Sequence, residues 1–454
     1  MEGYATLYAE GASGLEGPLL FLKRRVEVGL GEGVVVEDGR PRLGRIASLD
    51  EEVAVVEVLE ATSGLSLKAR VRHLGEPLYF SAGPGILGRV LNGVGAPLDG
   101  GPPLAEEVRL PIQGQPFNPA QREAPKDFIE TGITAIDLLN SLVRGQKLPL
   151  FSGGGLPHDR IAIHIATHAR LRQAAEPFAI VFAAIGVSHD SAETFARALE
   201  ESGALGKSVL FLNLASDSSV QRLLTPRFAL TAAEYLSFAE GRHVLAILSD
   251  MTAYCEALRE VSASLGEIPG RKGYPGYLYS DLASLYERAG RLRGKRGSLT
   301  QLPILTMPAD DITHPIPDLT GYITEGQIVL DRELDHRGIY PPIQVLPSLS
   351  RLMKDGIGEG YTHADHPALA AQLYASYARA GQARLLASVV GEEGLTPLDR
   401  QYLAFGKRFE EELLHQGEPR TFEESFALGW EVLRTLPPEE LTRLSDEQIA
   451  RYLK

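Results

Sequence analysis

Leu148-Pro149-Leu150-Phe151-Ser152-Gly153-Gly154-Gly155-Leu156-Pro157-His158-Asp159-Arg160 joins a short apolar run to a glycine-rich turn and then to a helix-like stretch. A turn of this kind, between a strand and a helix, is where an α/β domain builds a phosphate cradle, because amide N–H groups and the positive end of the helix dipole meet there. A working cradle reads GxxxxGK[ST]. Its lysine neutralises β- and γ-phosphate charge, and its hydroxyl ligates magnesium. Here Pro157, His158 and Asp159 stand in those places. Proline removes a backbone donor, and aspartate sets a negative charge where a phosphate would lie. Gly153, Gly154 and Gly155 therefore mark either a weak ATP pocket or a glycine turn left in a fold that once held phosphate. Tight nucleotide binding by this loop is not expected.

Downstream, FAIVFAAI (178–185), SVLFLN (208–213) and HVLAIL (243–248) alternate with helix-like stretches over 160–172, 191–201 and 226–239. Near-continuous apolar strands between amphipathic helices imply a parallel sheet covered on both faces, with ligands at the carboxyl ends of the strands. HVLAIL runs into Ser249-Asp250, and an acid after such a strand is suited to hold the magnesium of a bound nucleotide. An apolar strand ending in Asp is common, so Asp250 gains meaning only from the glycine turn before it.

The flanks have other periodicities. Residues 1–75 carry short strand-like runs, GPLLFL (17–22), GVVVED (33–38), RIASL (45–49) and EEVAVVEVLE (51–60), parted by Gly and Asp turns. They read as a small β-barrel, since closure removes exposed sheet edges. Residues 351–454 read as a helical bundle. Thr396, Thr421 and Ser445 each begin a capping pattern. Leu398, Tyr402, Phe405, Phe409 and Leu413, then Phe422, Phe426, Trp430 and Leu433, form core-facing stripes. The large segment between, 76–350, is the α/β domain.

Composition narrows the function. The 454 residues hold 45 Lys+Arg against 59 Asp+Glu, a net charge of −14, which argues against a chain that coats nucleic acid. One cysteine, Cys255, excludes a disulfide scaffold and a four-cysteine zinc site. No run reaches the roughly 18 apolar residues of a membrane span, and the N-terminus lacks the pattern of a signal peptide. A cytoplasmic chain that meets a membrane only through partners is expected. His164 and His168 have the i, i+4 spacing of a metal pair but lack the Glu of H-E-x-x-H, and His363 and His366 flank Asp365 in a polar stretch. No metal site is expected at either.

Several longer motifs carry a resemblance. Gly88-Arg89-Val90-Leu91-Asn92-Gly93-Val94-Gly95-Ala96-Pro97-Leu98-Asp99-Gly100 resembles the turn after the barrel in rotary ATPase head subunits. Thr131-Gly132-Ile133-Thr134-Ala135-Ile136-Asp137 and Leu142-Val143-Arg144-Gly145-Gln146-Lys147 resemble the segment leading to their phosphate loop. Pro269-Gly270-Arg271-Lys272-Gly273-Tyr274-Pro275-Gly276-Tyr277, Tyr286-Glu287-Arg288-Ala289-Gly290 and the run from Pro315 to Gln327 are similar to theirs too. Pro341-Pro342-Ile343-Gln344-Val345-Leu346-Pro347-Ser348-Leu349-Ser350 resembles the family signature, with Gln344 where Asp, Asn or His is usual. The resemblance runs from about residue 15 to the C-terminus and is greatest to the non-catalytic, regulatory B subunits of V/A-type (vacuolar/archaeal) ATPases.

That resemblance implies a β-barrel, a RecA-like P-loop-type nucleotide-binding domain whose loop is degenerate here, and a C-terminal helical bundle. It implies an alternating A3B3 ring with catalytic A subunits, central-stalk (D/F-type) and peripheral-stalk (E/G-type) partners, and ATP synthesis or hydrolysis coupled to ion transport. Val187 stands where catalytic relatives carry the Glu that positions water, and a valine does no such work. By motif position Arg351 matches the arginine that B projects into the neighbouring A subunit's site, and Tyr322 lines the same interface. No cofactor is expected to bind this chain tightly; Mg-ATP or ADP belongs at the A–B interface. The competing readings are a catalytic ATPase subunit with an unorthodox loop, a RecA-like hexameric nucleic-acid motor, and a purely structural ring subunit.

Overall fold

The computed structural model describes residues 7–114, 117–172 and 176–453. The chain divides into two compact units, 1–117 with 180–240 and 248–288, and 118–179 with 241–247 and 289–454.

The first unit opens with seven antiparallel strands: β1 (Tyr8–Glu10), β2 (Ala12–Glu16), β3 (Leu19–Lys23), β4 (Glu32–Asp38), β5 (Arg40–Leu49), β6 (Val53–Val58) and β7 (Arg70–Pro77). Their hydrogen-bonded order is β1-β7-β4-β5-β6-β3-β2. β1 and β2 lie at opposite ends of that order, yet only Gly11 separates them in the chain, at φ 76°. The sheet has curled until its edges meet, which makes a nearly closed barrel. Alternation fills its interior: Leu20, Leu22, Val34, Val36, Ile46, Val56 and Val71 are buried. In the same unit Ile180–Ile185 pair in parallel with Ser208–Asn213, whose strand pairs in parallel with Val90–Asn92.

Two quoted motifs explain themselves here. Asp99 accepts Arg89 through both oxygens (2.6 and 2.9 Å) and the amides of Val90 and Gly101, which folds the turn of 88–100. The Arg89 guanidinium holds the Asp99 carboxyl well below the usual carboxylate range. Arg288 is buried and donates to Glu234, Thr231 and the Ile112 carbonyl.

In the second unit Leu150–Gly153 pairs in parallel with Ile304–Met307 on one side and with Ile328–Val329 on the other. Strand Gly326–Leu330 pairs antiparallel with Ile343–Ser350, the last strand in the order. Asp137 closes its motif from within: fully buried, it accepts the Thr131 amide and hydroxyl and the Gly132 amide at 2.7–2.9 Å. Burial nevertheless pushes its carboxyl up to about 7. Helices His366–Val390, Pro397–Arg408, Phe422–Leu433 and Asp446–Tyr452 form the C-terminal domain, the last three with capping boxes at Thr396, Thr421 and Ser445. Tyr377 stacks on Phe409 at 4.2 Å. Buried Glu410 accepts Tyr377, Arg384 and Arg337.

The sequence reading is corrected most at two helices and at one residue of the aromatic stripe. The helix expected over 160–172 spans His158–His168, because Arg170–Leu171 leave it to pair with Ile129–Glu130; residues 173–175 lie outside the described set. The helix expected over 226–239 starts at Ser219, capped by Ser218, with Pro226 inside it and a π turn over Tyr235–Ala239. Leu398 is only half-buried in its stripe, whereas Leu395, just before the helix, is buried. Among the described residues no helix is long and apolar enough to cross a membrane.

His366 gives this domain a pH limit. It is fully buried, donates Nε2–H to the Leu138 carbonyl at 2.9 Å and accepts the Thr362 hydroxyl at Nδ1. Burial lowers its pKa to about 4. Between pH 4 and 6.5 the unfolded chain therefore holds a proton that the native chain does not, so stability falls as pH drops through that window. At 1.36 kcal/mol per unit the contribution is about 3 kcal/mol. Urea unfolding at pH 7 and 4.5 should show this slope, and His366→Gln should lose its share of it; an unchanged slope in the variant refutes the assignment.

Candidate functional site

Strand Leu150–Gly153 delivers the glycine turn, which Gly155 rounds at φ 82° before helix His158–His168 begins. Pro157 occupies the N-cap position and its side chain caps nothing. His158 folds back, its Nδ1 3.1 Å from both the Ser152 hydroxyl and the Leu156 carbonyl. Asp159 sits 3.5 Å from the other ring nitrogen, and Arg160 lies over the Tyr340 ring at 3.7 Å. None of these side chains is a flexible ammonium reaching over the turn. A pair that sequence reading missed closes on the turn instead: Arg332 donates to the Gly154 carbonyl at 2.9 Å and grips Asp310 at 2.9 and 3.1 Å. A Cβ on Gly153 would meet the Asp310 carboxylate and the Arg332 guanidinium, so a side chain there would push this pair off the turn.

Asp250, in the first unit, follows strand His243–Ser249 and accepts the Thr252 amide at 2.7 Å as N-cap of helix Met251–Ser264. Val187 ends strand Phe178–Val187, where its carbonyl accepts the Ala215 amide.

Arg351 and Tyr322 come together. Helix Pro315–Ile323 leaves Tyr322 74% exposed. Arg351 is the residue after strand Ile343–Ser350 and is exposed. Its amide donates to the Glu325 carbonyl at 2.9 Å and its guanidinium to the Thr324 carbonyl at 3.3 Å. The two side chains line one hollow of about 200 Å³ with Phe151, Ile312, Asp318 and Gln327. Arg351 also borders a larger groove of about 810 Å³ beside Leu346, Lys354 and Tyr374. A guanidinium with most of its donors facing open space is equipped to meet an incoming anion.

Gln344, unusual in the signature, has a partner: its Nε2 donates to Asp331 at 2.9 Å, while Asp331 caps the helix Arg332–His336. The histidine pairs are engaged locally. His164 donates to the Gly132 carbonyl, with its pKa lowered to about 4 by burial, and His363 accepts the Asp365 amide.

Comparison with known proteins agrees along the chain. Residues 14–75 match the β-barrel domain of the ATP synthase alpha/beta family, 132–350 its nucleotide-binding domain, and 355–453 the C-terminal domain of V and A type ATP synthase. The chain is 54% identical to the V-type ATP synthase beta chain of Halothermothrix orenii, covering 98% of this chain and 97% of that protein. It is 55% identical to the B subunit of the A-type ATP synthase of Aeropyrum pernix, covering 97% and 96%. A solved structure described as a unique ATP synthase subunit, NeqB from Nanoarcheaum equitans, superposes with TM-score 0.73 at 37% identity, covering 93% of this chain and all of that one.

Proposed function

This chain belongs to the ATP synthase alpha/beta family, among the B (beta) subunits of V/A-type ATP synthases, and we propose that it is the non-catalytic, regulatory subunit of the head. In this reading it alternates with catalytic A subunits in an A3B3 ring, on central and peripheral stalks, and reaches the membrane only through the complex. Its Arg351 completes the ATP site of the neighbouring A subunit, and the ring's turnover drives, or is driven by, ion transport.

The observation that carries the reading is the contrast between two places in one unit. The glycine turn has Pro157, His158 and Asp159 where a lysine and a hydroxyl are needed, and Arg332 closes on it. Arg351, by contrast, stands exposed at the end of the last strand of the sheet. With Mg-ATP bound across the interface, the A subunit supplies lysine and water-positioning glutamate. Arg351 supplies a fork of donors to γ-phosphate oxygens as charge builds on them in the transition state. Tyr322, beside it, packs against the same neighbour.

The purified chain alone is the direct test. It should bind Mg-ATP more weakly than about 1 mM, near −4 kcal/mol, and show no hydrolysis above background. Sub-micromolar binding by calorimetry, or turnover that purifies with the chain, would favour a catalytic subunit with an unorthodox loop.

A further inference from the structure

Arg351 is tied to two successive carbonyls, Thr324 through its guanidinium and Glu325 through its amide. How well the guanidinium is aimed therefore depends on what holds residues 324–325. Lys147 holds Glu325 in three ways. The Glu325 amide donates to the Lys147 carbonyl at 3.0 Å, the Lys147 amide donates to a Glu325 carboxylate oxygen at 2.7 Å, and the Lys147 ammonium pairs with the other oxygen at 2.9 Å. Gln146, fully buried, adds a bond from Nε2 to the Glu325 carbonyl and another to the Ser350 hydroxyl, on the residue before Arg351.

Stability alone does not account for this arrangement. Lys147 is 6% exposed, and the cost of desolvating a buried ammonium commonly cancels the attraction of its partner. The strands on either side already pair, Gly326 with Ser350. The ion pair instead fixes a short stretch of backbone whose carbonyls point at the arginine.

We propose that Lys147 and Glu325 are positioning residues for Arg351: their ion pair sets the Thr324–Glu325 carbonyls that aim the guanidinium into the neighbouring subunit. This rests on the reading of Arg351 given above. Neither residue needs to touch nucleotide, and Lys147 is too buried to do so.

The test is steady-state ATP hydrolysis by the head assembled with its catalytic subunit, after size-exclusion chromatography has confirmed assembly. Glu325→Ala and Lys147→Met should each lower kcat by about 10- to 100-fold, the scale of a 1 Å misplacement, and leave KM for Mg-ATP within about two-fold, because ground-state binding is not what the arginine supplies. Glu325→Gln, which keeps an acceptor for the Lys147 amide, should recover most of the rate. In an Arg351→Ala background neither substitution should cost anything further, since nothing remains to aim. Losses that multiply in the double variants overturn the proposal, as do wild-type rates for Glu325→Ala and Lys147→Met where Arg351→Ala alone is slow. If Glu325→Ala fails to assemble, Lys147→Met carries the same cycle. A normal rate for Arg351→Ala is a different result: it removes the arginine's role itself.

Discussion

Arg351→Ala should abolish most ATP turnover of the assembled head while leaving the head assembled. The side chain is exposed, and it makes one long contact to the Thr324 carbonyl. Truncation takes one hydrogen bond from the Thr324 carbonyl, which water can reach once the exposed guanidinium is gone, and the fold should change by no more than about 1 kcal/mol. The backbone amide, which holds the strand end to Glu325, survives the substitution. Chemistry should suffer far more. An arginine supplied in trans to a phosphoryl-transfer site is worth about 10³–10⁵ in rate, because it meets charge that exists only in the transition state. The loss should then fall on kcat, with KM for Mg-ATP little changed. Arg351→Lys keeps the charge and loses the planar fork, so it should recover only part of the rate. A purely structural ring subunit predicts the opposite: an assembled Arg351→Ala head turning over at the wild-type rate ends the finger assignment.

Many of the strands and helices are legible in the sequence because there the local signal agrees with the global fold. Val34 and Val36 alternate into the barrel, the capping patterns at Thr396, Thr421 and Ser445 form as capping boxes, and the aromatic stripe from Tyr402 to Leu413 is buried. What is illegible depends on residues far apart in the chain or on one residue with two plausible uses. Nothing in the spacing of Arg332 says that it will bond Gly154, 178 positions away. Gln344 reads as a departure from a signature, and its partner, Asp331, is defined only once two strands pair. Pro226 reads as a helix start because proline suits a first turn, but Ser218 is the stronger start signal and the proline is carried inside. Asp250 shows the second difficulty. An acid after an apolar strand suits magnesium, and an acid before a helix suits an N-cap; the chain uses it at least as the latter.

Gly326→Ala should cost more stability than any other single methyl group in the second unit. Gly326 opens strand Gly326–Leu330 at φ 138°, a conformation that residues with a side chain rarely adopt. A Cβ there would fall on the Leu349 carbonyl oxygen, with the Leu148 side chain 3.2 Å away. A side chain could swing aside, but the Leu349 backbone cannot move without breaking its register with Gln327. Strain of about 1–3 kcal/mol from the backbone angle and a steric clash with another strand act together. A loss of about 4 kcal/mol or more is expected, at the far end of what single substitutions do. Against a typical total of about 5–15 kcal/mol, much of the protein should become insoluble or sensitive to protease. Gly321→Ala is the matched control: nothing lies within 4 Å of its Cβ position, in helix Pro315–Ile323, and alanine favours a helix over glycine by up to about 1 kcal/mol. Chemical denaturation of both variants decides the matter. If Gly326→Ala unfolds at the wild-type midpoint, the strand end is softer than its geometry implies.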